Sequence, residues 1–135
     1  MPKLHIILLL SSLALGSTAG QAHPRLVSST PAAGATVAGS TAIRLAFSEK
    51  LVGSMTGADV VMTGMPNAGH HQPVKINGYV ATLGRDGKSI LMTRVKALAP
   101  GNYVVAWHAV SVDTHRVQGT LGFSLSYSPG CCVMA

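Results

Sequence analysis

The stretch AVSVDTHRVQG, residues 109–119, places a carboxylate and an imidazole close together, at Asp113 and His115. The whole chain of 135 residues has only four acidic side chains, so this pair needs an explanation. In an extended chain, residues i and i+2 lie on the same side, so the two side chains can converge on one point. The alternative is a surface turn, in which Asp113 bonds to its own loop and His115 is simply exposed.

His23 favours the first interpretation, because residues 1–22 have the layout of a secretory signal peptide: a basic residue, an apolar run and small residues up to Ala22. After cleavage at Ala22, His23 becomes the N-terminus, and its α-amine and Nδ1 can close a chelate ring on a metal ion. The pKa of a free α-amine is about 7.7–8.0, so a metal can displace its proton near neutral pH. Pro24 follows and has no N–H to compete as a ligand.

His23, Asp113 and His115 together offer three nitrogen donors and one oxygen donor. A square or tetragonal set of this kind suits Cu(II), and Zn(II) can use the same donors in a tetrahedral arrangement. The residues alone leave both metals open. Cleavage after Ala19 is also compatible with the small-residue rule, and it would remove the amine from the site.

Composition argues against a membrane-spanning protein and against a nucleic-acid-binding protein. The apolar run in residues 1–22 is too short to span a bilayer, which takes about 20 residues, and no later stretch comes closer, so we expect no membrane span. Removing residues 1–22 removes Lys3 and leaves nine basic and four acidic residues. The basic residues are scattered singly, whereas a nucleic-acid-binding face needs clustered positive charge.

Short alternating segments predict an all-β domain over residues 23–127. Ile43, Leu45 and Phe47 share one face, which is the period-two pattern of a half-buried strand. About seven such strands, separated by turn signals, favour a small antiparallel Greek-key barrel or sandwich, cupredoxin-like or immunoglobulin-like. The predicted strands are Arg25–Ser29, Ile43–Phe47, Ala58–Thr63, Val74–Leu83, Ser89–Val95, Tyr103–Ala109 and Leu121–Tyr127.

Three further features of the sequence lie outside this pattern: Trp107, His108 and a C-terminal tail with two cysteines. We expect Trp107 to pack in the core and His108, on the opposite face of the same strand, to be a surface or structural histidine. Residues 128–135 form a short tail that carries Cys131 and Cys132. In an oxidising compartment these cysteines can form a disulfide or bridge two chains, and as thiolates they can hold Cu(I).

Four segments together resemble the periplasmic copper-resistance protein C (CopC, PcoC) family: HPRLVSSTPAAGATV, IRLAFSEKL, VVMTGMP and AVSVDTHRVQGTLGFSL. They occur in order from His23 to about Ser126. The resemblance implies a small cupredoxin-like β-barrel of the periplasm that binds and carries copper. It implies a Cu(II) site at the positions of His23, Asp113 and His115, and therefore cleavage after Ala22. Glu49, in FSEKL, matches a glutamate placed near that site.

The resemblance also implies a Cu(I) site in a methionine-rich loop, here MTGMPNAGHHQPV. Thioethers are soft ligands and suit Cu(I). Two of the family methionines are replaced, by Ala68 and Pro73, so the site is thinned in this chain. The remaining candidate ligands are Met62, Met65, His70 and an additional histidine, His71.

These observations predict a periplasmic, non-enzymatic copper-binding protein. It would sequester Cu(II), with possible binding of Cu(I), and deliver copper to a membrane or periplasmic copper-handling partner. One alternative is a copper-dependent oxidase or monooxygenase, since polysaccharide monooxygenases also use an N-terminal histidine. Another is an immunoglobulin-like structural module in which the candidate ligands are incidental.

Overall fold

The computed structural model describes residues 23–39, 42–65, 68 and 72–127. The predicted signal peptide at residues 1–22, the loop histidines His70 and His71, and Cys131-Cys132 in the tail lie outside the described residues. Within the described ranges, no helix is long and apolar enough to cross a membrane.

The described chain consists of nine β-strands and one short 3-10 turn, Gly53–Met55. The strands are rich in β-branched and aromatic residues, which pack well on a pleated surface. They are β1 (Leu26–Thr30), β2 (Thr36–Ala38), β3 (Ile43–Phe47), β4 (Gly57–Gly64), β5 (Val74–Ile76), β6 (Val80–Leu83), β7 (Ser89–Thr93), β8 (Gly101–Val110) and β9 (Arg116–Ser126).

The strands form two sheets that pack as a sandwich. One sheet has the order β1-β3-β7-β6, and the other has the order β2-β9-β8-β4-β5. Strand β2 pairs with β9 in parallel, and the other named pairs are antiparallel. The predicted all-β sandwich is therefore confirmed.

The strand count differs from the prediction for two reasons. The predicted strand Val74–Leu83 is divided at Gly78, whose φ of 92° is a conformation that glycine adopts without strain. Its first part, β5, pairs with β4 in one sheet, and its second part, β6, pairs with β7 in the other. The three-residue strand β2 is too short to show an alternating pattern and was not predicted.

The core lies between the two sheets and is formed by the inward positions of the alternating strands. Leu45 is fully buried, and Ile43 and Phe47 on the same face of β3 are 2% and 3% exposed. Tyr103 stacks on Phe123 with ring centroids 5.5 Å apart. Its hydroxyl donates to the carbonyl of Ala99, the same kind of bond that a tyrosine corner makes.

Strands β8 and β9 connect the two ends of the sandwich. Their ladder begins at the pair Gly101–Leu125 and ends at the pair Val110–Arg116, followed by the turn that contains Asp113 and His115. At about 3.3 Å per residue, β8 separates the two ends by about 30 Å. We call the end with this turn the turn end, and the end with Gly101 the methionine end, because Met62 and Met65 lie there.

We expect Leu45→Ala to destabilise the domain by about 2–5 kcal/mol, since it removes a fully buried side chain and leaves a cavity. Val80→Ala is the matched control on a strand, because Val80 is 61% exposed, and its cost should be below about 1 kcal/mol. Urea unfolding of both variants measures the difference. Equal losses of stability would show that the sandwich interior is not the main source of stability.

Candidate metal site

The turn between β8 and β9 holds Asp113 and His115 in a compact hydrogen-bonded loop. The backbone N–H of Ser111 donates to the carbonyl of His115 at 3.0 Å, and the N–H of Thr114 donates to the carbonyl of Ser111 at 2.8 Å. Ser111 is completely buried. The segment is therefore a tight turn, and the assumption of an extended chain at Asp113 and His115 was wrong.

The geometry of this turn depends on Thr114. Its φ of 71° makes it the one non-glycine residue of the described chain with a positive φ. A non-glycine residue in this conformation costs about 1–3 kcal/mol and persists where the surrounding structure imposes it. The reversal at Thr114 keeps both neighbours on one side, with Asp113 Oδ2 and His115 Nδ1 3.8 Å apart.

His23 reaches this turn because the residues that follow it are fixed to the sandwich. Pro24 is among the fully buried residues, whereas His23 itself is exposed. The N–H of Arg25 donates to the hydroxyl of Ser48 at 3.0 Å, and the N–H of Ser48 donates to the carbonyl of Arg25 at 2.9 Å. These bonds hold the start of the described chain against the end of β3.

As a result, two histidines that are ninety-two positions apart in the sequence lie in contact. The rings of His23 and His115 have centroids 4.5 Å apart and are tilted by 50°. The Nδ1 atom of His115 is buried and has no hydrogen-bond partner among the described residues. A buried nitrogen without a partner, beside a carboxylate and a second imidazole, fits a site for a cation.

Asp113 is held in its ionised form. A hydrogen bond from the Ser111 side chain is the largest cause that lowers the pKa of Asp113 below its ordinary value of 3.8. Partial desolvation opposes this effect, while the backbone N–H of Asp113 and the nearby charges of His115 and His23 add to it. The carboxylate is therefore available as an anionic oxygen donor throughout the neutral pH range.

The side chains of the candidate site approach one another in pairs: His115 lies beside Asp113, and it also contacts His23. Among the described residues, no group of three or more His, Cys, Asp or Glu side chains forms a complete metal-binding cluster. Asp113 and His115 are about half exposed, at 50% and 44% of their side-chain area, so their side chains have room to rotate. The donor types fit Cu(II), which prefers imidazole nitrogen and carboxylate oxygen in a tetragonal arrangement.

Glu49 lies between two segments that lead to the site. The preceding residue, Ser48, is bonded to Arg25, and the carbonyl of the following residue, Lys50, accepts a hydrogen bond from Val112 at 3.0 Å. Glu49 itself is half-buried. This position is compatible with the predicted role beside the site.

The candidate Cu(I) ligands lie at the methionine end, far from His23. Met62, on β4, is 9% exposed and Met65 is 48% exposed. Together with Gly64, Gln72 and Val74 they line a small cavity of about 40 Å³. The structure thus groups the two methionines, while their predicted partners His70 and His71 lie outside the described residues.

Trp107 and His108 lie on opposite faces of β8, as predicted. The Trp107 ring packs edge-on against Phe47, with centroids 5.2 Å apart. It lies directly over Gly119, where an added Cβ would be 2.5 Å from the Trp107 ring. His108 is half-buried and lines a shallow depression of about 430 Å³ with Asp59, Arg116 and Gln118 among its walls.

Three residues of the site were not recognised from the sequence. Pro24 was noted only for its missing N–H, yet its burial anchors His23. The side chain of Ser111 hydrogen-bonds to Asp113 and lowers the pKa of its carboxyl, and Thr114 shapes the turn. Nothing in the sequence marks the bond from Ser111 to Asp113 or a threonine with positive φ.

The structure is thus a small β-sandwich with imidazole and carboxylate side chains near one another at one end and two methionines at the other. Comparison with known proteins places it more specifically. The model of the CopC domain matches residues 26–126, and the chain belongs to the CopC family.

Named relatives and a solved structure agree with this assignment. Copper resistance protein C of Pseudomonas syringae pv. tomato is 44% identical over 111 residues, which are 82% of this chain and 86% of that protein. Copper resistance protein C of Xanthomonas campestris pv. juglandis is 41% identical over 120 residues, 89% of this chain and 91% of that protein. The crystal structure of PcoC, a methionine-rich copper resistance protein from Escherichia coli, has a TM-score of 0.71 and 39% identity, covering 78% of this chain and 100% of that one.

We expect Ser111→Ala to raise the pKa of Asp113 towards 3.8, because it removes the largest cause of the lowered value. A carboxyl group whose pKa is lower in the folded state than in the unfolded state stabilises the protein at pH values above its unfolded-state pKa. This stabilisation is lost as the pH falls through the folded-state pKa. The variant should therefore lose less stability on acidification than the parent protein. An NMR titration of the Asp113 carboxyl carbon measures the pKa directly, and an unchanged value would exclude Ser111 as the cause.

Proposed function

We propose that this protein is a periplasmic copper-binding protein of copper resistance, which sequesters Cu(II) at the turn end and delivers copper to a membrane or periplasmic partner. The observation that carries the proposal is the contact between His23 and His115 beside Asp113, with ring centroids 4.5 Å apart. The relatives named copper resistance protein C support copper as the cargo.

In this proposal the chain begins at His23 after removal of residues 1–22. The α-amine and imidazole of His23, the imidazole of His115 and the carboxylate of Asp113 then act as the Cu(II) ligands. Pro24 supplies no competing amide, and its burial holds the new N-terminus against the turn. Glu49 would lie beside these ligands without binding the metal itself, since its two neighbours, Ser48 and Lys50, are hydrogen-bonded to the segments that carry the site.

The same proposal assigns Cu(I) to the methionine end. Met62 and Met65 supply thioethers that match the softness of Cu(I), and His70 and His71 are the nitrogen donors that the sequence offers nearby. Because β8 separates the ends by about 30 Å, the two oxidation states would be held independently.

A binding and transfer role is also favoured over catalysis. The relatives carry the name of copper resistance proteins, which favours neither an oxidase nor an immunoglobulin-like structural module. A carboxylate beside the two imidazoles fills a position that an oxidase needs for oxygen or substrate, and this suits storage and transfer.

The first test is a variant with one alanine added before His23. The addition converts the amine into an amide and should weaken Cu(II) binding more than a hundredfold, roughly the upper limit for loss of a supporting residue around a metal site. Competition titration against a Cu(II) chelator measures the affinity. The matched control is His108→Ala, which removes a histidine of the outer face and should bind as the parent protein does. Equal affinity of the extended and parent chains would exclude the amine as a ligand.

The second test is the pH dependence of binding. We expect one Cu(II) per chain at neutral pH and progressively weaker binding as the amine and the imidazoles become protonated. The nitrogen donors should account for this loss above about pH 5, because the pKa of Asp113 is lowered and its carboxylate stays ionised there. Calorimetric titration at several pH values gives the stoichiometry and the number of protons released. A proton release of zero would contradict nitrogen ligation.

A further inference from the structure

The basic residues are scattered singly in the sequence, but the fold gathers more than half of them at the turn end. Lys50 lies beside the turn, because its carbonyl accepts a hydrogen bond from the N–H of Val112 at 3.0 Å. The loop between β6 and β7 reaches the same end, since the N–H of Leu51 donates to the carbonyl of Gly87 at 2.8 Å. Five of the nine basic residues that follow position 22 therefore lie here: Arg25, Lys50, Arg85, Lys88 and Arg116.

These five residues give the turn end a positive surface. All five are exposed, and within the described part of the chain none of their side chains forms an ion pair. Three acidic residues lie at the same end, namely Glu49, Asp86 and Asp113. The carboxylate of Asp86 is already engaged, because it accepts hydrogen bonds from the N–H of Lys88 and the hydroxyl of Ser89, both at 2.9 Å. Positive charge is therefore in excess and available to attract an anionic partner.

Exposed apolar side chains lie among the charges of the positive surface. Val112 is 62% exposed in the turn itself, and Met55 is 57% exposed in the 3-10 turn. The 3-10 turn is fixed at this end, because the N–H of Val52 just before it donates to the carbonyl of Val110 at 2.8 Å. Protein interfaces commonly combine apolar contacts with a polar and charged rim. The composition of this surface therefore fits a protein partner.

A depression on the outer face of β8 and β9 opens at the positive surface. It has a volume of about 430 Å³, and Arg116 forms the wall nearest the turn. Gln118 and Thr120 follow on the same face of β9 and offer hydrogen-bonding groups. On the opposite wall the charge of Asp59 is compensated by Lys75, with Oδ1 and Nζ 3.0 Å apart. Such a depression can hold an extended peptide segment, whereas a flat lipid surface cannot enter it.

We propose that the turn end binds an acidic segment of a partner protein, with a carboxylate of that segment at Arg116 and the chain in the depression. Complementary charge speeds the encounter of two proteins and selects the partner. The inference rests on the proposed function and deepens it, because it gives the chemistry of the copper-handling partner. Docking at this end places the partner beside the candidate ligands His23, Asp113 and His115.

The first test is an NMR titration of the isotope-labelled mature chain with an oligoglutamate peptide as the probe. The protein is kept free of copper, so that the carboxylates of the peptide cannot compete for the metal. We expect the amide signals of Lys50, Val112 and Arg116 to shift and those at the methionine end to stay unchanged. Binding should be lost in about 1 M salt, where charges are screened beyond about 3 Å. Shifts confined to the methionine end, or spread evenly over the domain, would overturn the inference.

The second test compares variants that reverse one charge each. Lys50→Glu and Arg116→Glu should each weaken binding of the peptide about fivefold, since each loses an attraction and gains a repulsion. Lys96→Glu is the matched control, because Lys96 is exposed and follows β7 at the methionine end. It changes the net charge by the same amount and should bind as the parent protein does. Equal losses in all three variants would overturn the inference, since net charge alone would then explain the attraction.

Two further measurements separate the alternatives. Vesicles of phosphatidylcholine and phosphatidylglycerol are the competing probe, and stronger binding to these vesicles than to the peptide would assign the positive surface to a membrane and overturn the inference. Competition titration with Cu(II) separates the inference from the proposed function. Normal Cu(II) binding without peptide binding would overturn the acidic partner and leave the function standing. Peptide binding without Cu(II) binding would overturn the function and leave the positive surface as a docking site.

Discussion

The antiparallel ladder between β8 and β9 is the constraint on which the rest of the structure depends. It joins ten residue pairs, from Gly101–Leu125 to Val110–Arg116, and it carries β4 on one side and β2 on the other. The turn that closes it holds one group of candidate ligands, and its open end lies beside the other group. A slip of one residue would turn every inward side chain outward, so one register determines both ends of the molecule.

Two contacts oppose such a slip. Trp107 lies over Gly119 so closely that any side chain there would collide with the ring, and its edge-on packing against Phe47 ties the ladder to the facing sheet. At the turn end, buried Pro24 and the paired hydrogen bonds of Arg25 and Ser48 attach the start of the domain to the same assembly. The contact of His23 with His115 thus results from packing far more than from any attraction between the two rings.

Much of this arrangement could be predicted from alternation and residue type. The period-two patterns of β3 and β8 identified the core faces correctly, because the sandwich buries one side of each strand. The division of Val74–Leu83 was missed, since the segment was treated as one strand although the chain passes from one sheet to the other at Gly78. Short β2 was missed because its pairing with β9 depends on long-range contacts that three residues do not encode.

The candidate site, like the fold, could be predicted only in part. Chemistry of the donor atoms pointed to His23, Asp113 and His115, and the structure places His115 beside each of the other two. It does so through a tight turn, which the sequence suggested as the alternative to an extended chain. Whether the three act as copper ligands stays a prediction. Backbone conformation at Thr114 and burial of Ser111 are properties of the folded turn, and a residue's identity carries little information about either.

The left-handed conformation of Thr114 has a consequence for the entropy of ligand capture. A loop that is disordered before binding must lose about 1–2 kcal/mol of backbone entropy for each residue that the ligand orders. Here the turn from Ser111 to His115 is already closed by its own hydrogen bonds, and its strain is offset when the domain folds. In the proposed site, an incoming ion would have only the side chains of Asp113, His115 and His23 left to order, so most of the free energy of its bonds would remain available as affinity.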